Sequence, residues 1–138
     1  MTPEQISLVQ ESYRTIAPIK EAVGSLFYER LFTLDPDLKK LFRRDMGDQS
    51  RELLNMIGQV VDGLDNPDEV LPVARRLGAR HAGYGVEPEH YDTVGEALLW
   101  TLALILGDEL DDETRQAWTA AYGLLSAAMQ EAPSNVSA

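Results

Sequence analysis

In the stretch Val70-Leu71-Pro72-Val73-Ala74-Arg75-Arg76-Leu77-Gly78-Ala79-Arg80-His81, apolar side chains recur at helical spacing and lead to a histidine. His81 follows Leu77 by four residues, Ala74 by seven and Val70 by eleven. It therefore shares their stripe, on the inward face of one helix. Arg75, Arg76 and Arg80 ride on the same helix but off that face. Gly83 and Gly85 follow and supply the stop.

The same helical spacing continues in both directions from this stretch. Thr2 can cap a first helix, with Pro3 in its first turn and Gln5 completing a capping box. Ile6, Val9, Tyr13 and Ile16 then recur at helical intervals up to Pro18. A second helix, about Pro18 to Leu34, lines up Val23, Phe27, Leu31 and Leu34, with Tyr28 beside them. Gly24 in that helix allows another helix to come close. Asp35-Pro36 starts a short helix carrying Leu38, Leu41 and Phe42, and Arg43 to Asp48 reads as a polar connection.

From about Asp48 to Leu64 the pattern is strongly amphipathic, with Leu53, Leu54, Ile57, Val60, Val61 and Leu64 on one stripe. Asp65-Asn66-Pro67 breaks it and opens the His81 helix. Pro88 opens a long helix with Tyr91, Val94, Leu98, Leu99, Leu102 and Leu106 inward, closed by Gly107. A last helix runs from about Asp111 to Ala132. No segment alternates like a strand. The reading is all-α, with one domain over residues 1–132 and a flexible Pro/Ser/Asn tail over 133–138. Such a set packs either as a simple bundle or as two crossed helical layers, and periodicity does not choose.

Composition narrows the function classes. The 138 residues contain no cysteine, which removes disulfides, iron–sulfur clusters, thiolate catalysis and cysteine–zinc sites. The longest apolar stretch, Ala97 to Leu106, has ten residues including Thr101. A membrane span needs about twenty. The amino terminus lacks the basic and apolar regions of a signal peptide, so a cytoplasmic location is expected. A net charge of −11 repels nucleic acid. Seven of the twelve basic residues do cluster, as Lys39, Lys40, Arg43 and Arg44, and as Arg75, Arg76 and Arg80. These are solvated helix ends, or partners for one or two carboxylates. The surface shows no heptad seam, and the oligomeric state stays open.

His81 and His90 are the only histidines. No HExxH spacing suggests zinc, and Glu87-x-x-His90 lacks the second such pair that a diiron bundle needs. His90 sits beside the inward Tyr91 and is expected to face solvent. His81 has two readings. It is a core imidazole with a satisfied hydrogen bond, or it is the axial ligand of an iron porphyrin whose carboxylates meet the outward arginines. Gln49 and Tyr28 are polar residues beside apolar stripes. Each is either a solvent-facing or internally satisfied group, or part of a pair that stabilises a polarised iron-bound ligand. Leu53 and Phe42 would then form a dry wall.

Several stretches are most specific taken together. They are Leu26-Phe27-Tyr28-Glu29-Arg30-Leu31-Phe32, Gln49-Ser50-Arg51-Glu52-Leu53, Arg80-His81-Ala82-Gly83-Tyr84-Gly85-Val86, Glu89 to Leu99, and Ala117-Trp118-Thr119-Ala120-Ala121-Tyr122-Gly123. In order and spacing the chain resembles the globin family, and within it bacterial single-domain haemoglobins and the haem domain of flavohaemoglobins. The resemblance implies a globin fold, a crossed-helix sandwich around haem b (iron protoporphyrin IX). His81 matches the proximal iron ligand, and Tyr28 and Gln49 match the distal polar pair. Leu53 matches the apolar residue beside the ligand, Phe42 the phenylalanine stacked on the porphyrin, and Arg80 a base near a propionate. Val86 closes the proximal stretch and joins the cofactor-binding set. Tyr91 matches a proximal tyrosine that in this family joins a glutamate and the histidine. The ungapped position of that glutamate is Pro133 here, with Glu131 nearby.

The resemblance implies reversible binding of O2, with NO and CO as competing ligands, at a pentacoordinate ferrous haem. It also implies NO dioxygenation as a secondary activity, with Tyr28, Gln49 and Tyr91 as the catalytic set. The sequence ends at Ala138 without a flavin or nicotinamide domain, so a separate reductase is the expected partner. The competing expectations are a haem-based gas or redox sensor and a cofactor-free helical interaction domain.

Overall fold

The computed structural model describes residues 1–41, 46–83 and 88–137, without the side chains of 41, 46, 67, 79–83 and 131–137. The described residues form helices and the turns between them, with no strand among them. Helix α1 spans Pro3–Ile16, and a single 3-10 turn over Ala17–Ile19 leads into α2, Lys20–Leu34. A 3-10 helix, Pro36–Leu41, follows. Then come α3 (Met46–Asp62), α4 (Pro67–Gly83), α5 (Pro88–Leu106), a 3-10 turn over Gly107–Glu109, and α6 (Asp112–Ser137).

The local rules hold where they were sharpest. Thr2 caps α1 through a full capping box. Its hydroxyl accepts from the Gln5 N–H at 3.1 Å, and Gln5 Oε1 accepts from the Thr2 N–H at 3.0 Å. Gly107, at φ +56°, takes the left-handed conformation that ends α5. Helix α3 starts two residues before the expected Asp48, so part of the expected connection is helix. Helix α6 continues past Pro133 to Ser137, beyond the expected end near Ala132. Leu34, expected on the inner face of α2, is 37% exposed. It is the last residue of that helix, and Asp35 turns the chain into an extended conformation immediately after it.

Helices distant in sequence meet. α1 packs on α6, α2 on α3 and α5, and α4 on α6. The main core contains Val9, Ile16, Val23, Leu31, Leu54 and Leu102, all nearly inaccessible to solvent. A second cluster joins Ala74 of α4, Tyr91 of α5, and Ala128 and Met129 of α6. Buried polar groups tie the layers. Trp118 Nε1 on α6 donates to Ser12 Oγ on α1 at 2.8 Å, and Tyr13 Oη donates to the Leu54 carbonyl at 2.6 Å.

Two glycines set the tightest crossings. A Cβ on Gly24 would lie 2.4 Å from Ser50 Cβ and 2.7 Å from Ser50 Cα, so α2 and α3 nearly touch backbone to backbone. A Cβ on Gly78 would lie 1.9 Å from the Met129 carbonyl oxygen, so α4 rests as closely on α6. The close approach expected at Gly24 is therefore realised, and its partner is Ser50. Among the described residues, no helix is long and apolar enough to cross a membrane.

Candidate functional site

A cavity of about 150 Å³ lies between α2, α3, α5 and α6. Its walls are almost wholly carbon. Phe27, Leu53 and Ile57 bound it from one side, and Leu98, Trp118 and Met129 from the other. Polar rings reach it from three helices: Tyr28 from α2, His90 and Tyr91 from α5, and Tyr122 from α6. Walls of this kind, with a few placed polar groups, are the usual makeup of a small-molecule site.

Tyr28 is 6% exposed. Phe27 meets its ring edge-on at 5.1 Å, and Phe32 stacks on it at 5.9 Å. Burial pushes the phenol up to about 12, and the nearby Glu52 carboxylate on α3 adds to the shift. Tyr28 is thus a neutral O–H group at physiological pH, locked by aromatic neighbours and close to the first turns of α3. Tyr91 is also buried and its phenol is raised by burial.

Gln49 lies one turn before Glu52 and Leu53 on α3. It is 8% exposed, and its Oε1 finds no hydrogen-bond partner among the described residues. An unpaired buried polar atom costs about 1–3 kcal/mol and calls for a partner from outside the chain or for a purpose. Turning the amide over exchanges its acceptor for a donor at that position. Gln49 is not part of the cavity wall itself; it is the buried chain neighbour of Ser50, the residue that meets Gly24 of α2.

The expected set is thus partly assembled. Tyr28, Leu53 and Tyr91 share one cavity, and Gln49 is buried a turn away from Leu53. The backbone of His81 and Arg80 belongs to the end of α4. Their side chains lie outside the described residues, as do Phe42 and Val86 entirely and the side chain of Glu131. His90 departs from expectation: it is half-buried and lines the cavity instead of facing solvent. The first turn of α5 runs along the cavity, so successive residues can both reach it. Sequence reading also missed Ser50, which is wholly buried with its Oγ unpartnered among the described residues. Gly24 carried the signal, but its partner cannot be read from one strand of sequence. Among the described residues, no three His, Asp or Glu side chains gather to hold a metal ion.

The Globin family model matches residues 25–129. A flavohemoprotein of Bordetella parapertussis is 33% identical over 129 residues, covering 91% of this chain and 32% of its own length. A flavohemoprotein of Chromobacterium violaceum is 34% identical over 123 residues, covering 87% of this chain and 30% of its own. The chain therefore spans about a third of the length of these curated relatives. Among solved structures, a hexacoordinated heme protein from an anhydrobiotic tardigrade superposes with a TM-score of 0.87 at 18% identity, covering 96% of this chain and 94% of that one. That likeness fixes the arrangement of the helices as the crossed-layer one.

Proposed function

The chain belongs to the globin family, and on that premise we propose that it holds haem b in the cavity between α2, α3, α5 and α6 and reversibly binds O2, NO and CO there. The flavohemoprotein relatives support the same cofactor. The residues present fit it. The cavity is lined almost wholly by carbon from α2, α3, α5 and α6, and Gln49 Oε1, buried without a partner among the described residues, lies a turn from its wall.

When bound, the haem supplies an iron with an open position for a diatomic ligand. His81, in the last turn of α4, would hold the iron through a ring nitrogen. Arg80 would pair with a propionate, and Phe42 and Val86 would pack on the porphyrin. Tyr28 would donate a hydrogen bond from its phenolic O–H to the bound ligand. Its raised pKa keeps that proton in place across the physiological range. Gln49 adds its amide, and Leu53 keeps water away. Tyr91, which lines the same cavity, would serve the His81 side of the haem. With Tyr28 and Gln49 serving the ligand and not the metal, a ferrous haem held here would be pentacoordinate and keep a place open for O2, NO or CO.

The single observation that carries this reading is Gln49 Oε1, buried without a hydrogen-bond partner among the described residues and one turn from Leu53, which lines the cavity. An absorption spectrum of the purified ferrous protein, with and without O2, tests it. A pentacoordinate spectrum that changes on O2 addition is expected, as is loss of that coordination in His81→Ala. A colourless protein, or axial coordination unchanged in His81→Ala, removes the proposal.

NO dioxygenation is a secondary activity. One NO, one O2 and one electron give nitrate, and the electron comes from a reductase. Sustained nitrate formation under a supplied reductant is expected. A single stoichiometric reaction without turnover confines the protein to binding.

A further inference from the structure

We propose that Gly24 is a positioning residue for the ligand pocket: its missing side chain lets Ser50 press against α2, and that contact sets the distance between Tyr28 and Gln49. The inference rests on the proposed role of those two residues as the distal pair.

The geometry is compact. Gly24 and Tyr28 are four residues apart on α2, so they lie on the same face, separated by about 6 Å along the helix axis. Ser50 is the chain neighbour of Gln49 on α3. The Glu52 carboxylate, three residues beyond Gln49, is close enough to act on the Tyr28 phenol, so the seam that begins at Gly24 and Ser50 runs on to Tyr28. Any change of spacing at the first pair is therefore carried to the second.

The contact has no slack. The three atoms nearest a Cβ on Gly24 all belong to Ser50: Cβ at 2.4 Å, Cα at 2.7 Å and Oγ at 2.9 Å. One of them is backbone, and Ser50 is 0% exposed, so a rotamer change cannot relieve the crowding. A methyl group at Gly24 must push the helices apart, by about 1 Å to regain an ordinary carbon–carbon separation. A hydrogen bond stretched by about 1 Å beyond its usual ~2.9 Å is lost. A ligand held between Tyr28 and Gln49 would keep one donor and lose the other.

A helix can also be disturbed without touching this spacing. Gly58 lies on the same helix α3, and a Cβ there would meet the Tyr13 hydroxyl at 2.5 Å. That crowding comes from α1, away from Tyr28. Gly58→Ala is therefore the structural control.

The test compares Gly24→Ala, Gly58→Ala and Tyr28→Phe in the haem-loaded protein. It reads the O2 dissociation rate and the C–O stretching frequency of the CO complex, which responds to the field of nearby donors. Thermal melting of the haem-free chain is measured alongside. Gly24→Ala is expected to raise the O2 dissociation rate about tenfold, the effect of one hydrogen bond to a charged group, and to move the C–O stretch upward. Gly58→Ala is expected to lower the melting temperature and leave the C–O stretch in place. Should Gly24→Ala fail to fold, Ser50→Gly is compared with Gly24→Ala/Ser50→Gly, where two of the three nearest atoms, Ser50 Cβ and Oγ, are gone and the Cα remains. A several-fold faster O2 release in the double variant is then expected. If Tyr28→Phe moves both readouts and the added methyl moves neither, the positioning role is wrong and the distal pair stands. The positioning role is equally wrong if Gly58→Ala shifts the stretch as much as Gly24→Ala does. If Tyr28→Phe itself moves neither readout, the distal pair is wrong, and this inference goes with it.

Discussion

The Tyr122 hydroxyl on α6 donates to the backbone carbonyl of Tyr91 on α5 at 2.5 Å. The bond pins the first turn of α5, where Tyr91 and His90 reach the cavity. Gly95, one turn further along α5, makes room for the Tyr122 ring, since a Cβ there would lie 2.8 Å from Cε2. Tyr122→Phe keeps the ring and removes the donor. It is expected to cost about 1 kcal/mol, read as a fall of roughly 3 °C in melting temperature. An unchanged melting curve would mean that the α5 helix holds that carbonyl alone.

Tyr28→Phe keeps the aromatic cluster with Phe27 and Phe32 and deletes one O–H. Packing is conserved, so haem uptake is expected to remain. The O2 dissociation rate is expected to rise by tenfold or more, because a hydrogen bond to a charged group is worth about 1.5–3 kcal/mol. Stopped-flow replacement of O2 by CO measures it. A rate within twofold of the wild type would assign the holding to Gln49 instead.

Alkaline pH should loosen the fold in a defined window. Tyr28 titrates near 12 in the folded chain because burial disfavours the phenolate, against 10.0 for an ordinary tyrosine. The unfolded chain loses its tyrosine protons first. Stability from this group is therefore fully present below pH 10 and lost as pH rises through 12. The slope is about 1.4 kcal/mol per pH unit within that window. Tyr91 and Tyr122 shift in the same direction through burial and add to the slope. Urea titrations of the haem-free protein between pH 9 and 12 should show the decline, and Tyr28→Phe should make it shallower. An equal slope in the variant refutes the assignment.

What was legible in the sequence had a local cause. The Thr2 capping box, the Pro88 start and the Gly107 stop each act within a few residues, and α5 has the limits they dictate. The stripes of α3 and α5 placed Leu53 and Tyr91 inward because helical periodicity alone decides the face. Gly24 announced a crossing but not its partner. Ser50 occupies a polar-looking first turn, and only the arrival of α2 buries it. Spacing likewise left Gln49 beside it between solvent and interior, and the packed structure buries it. His90 was misread because its exposure depends on where the cavity runs, which no property of its own helix reveals.

Ser50 also gives a prediction about stability. Its Oγ is wholly buried and has no partner among the described residues. A hydroxyl in that state keeps the cost of leaving water without the return of a hydrogen bond. Ser50→Ala removes the hydroxyl but keeps the Cβ that faces Gly24, so the helix spacing is conserved. Alanine is also the better helix former, by a few tenths of a kcal/mol. The two effects act together, and the variant is expected to gain about 1 kcal/mol in urea unfolding of the haem-free chain. A loss of similar size would show that the hydroxyl is satisfied in solution, by a water or by a group outside the described residues.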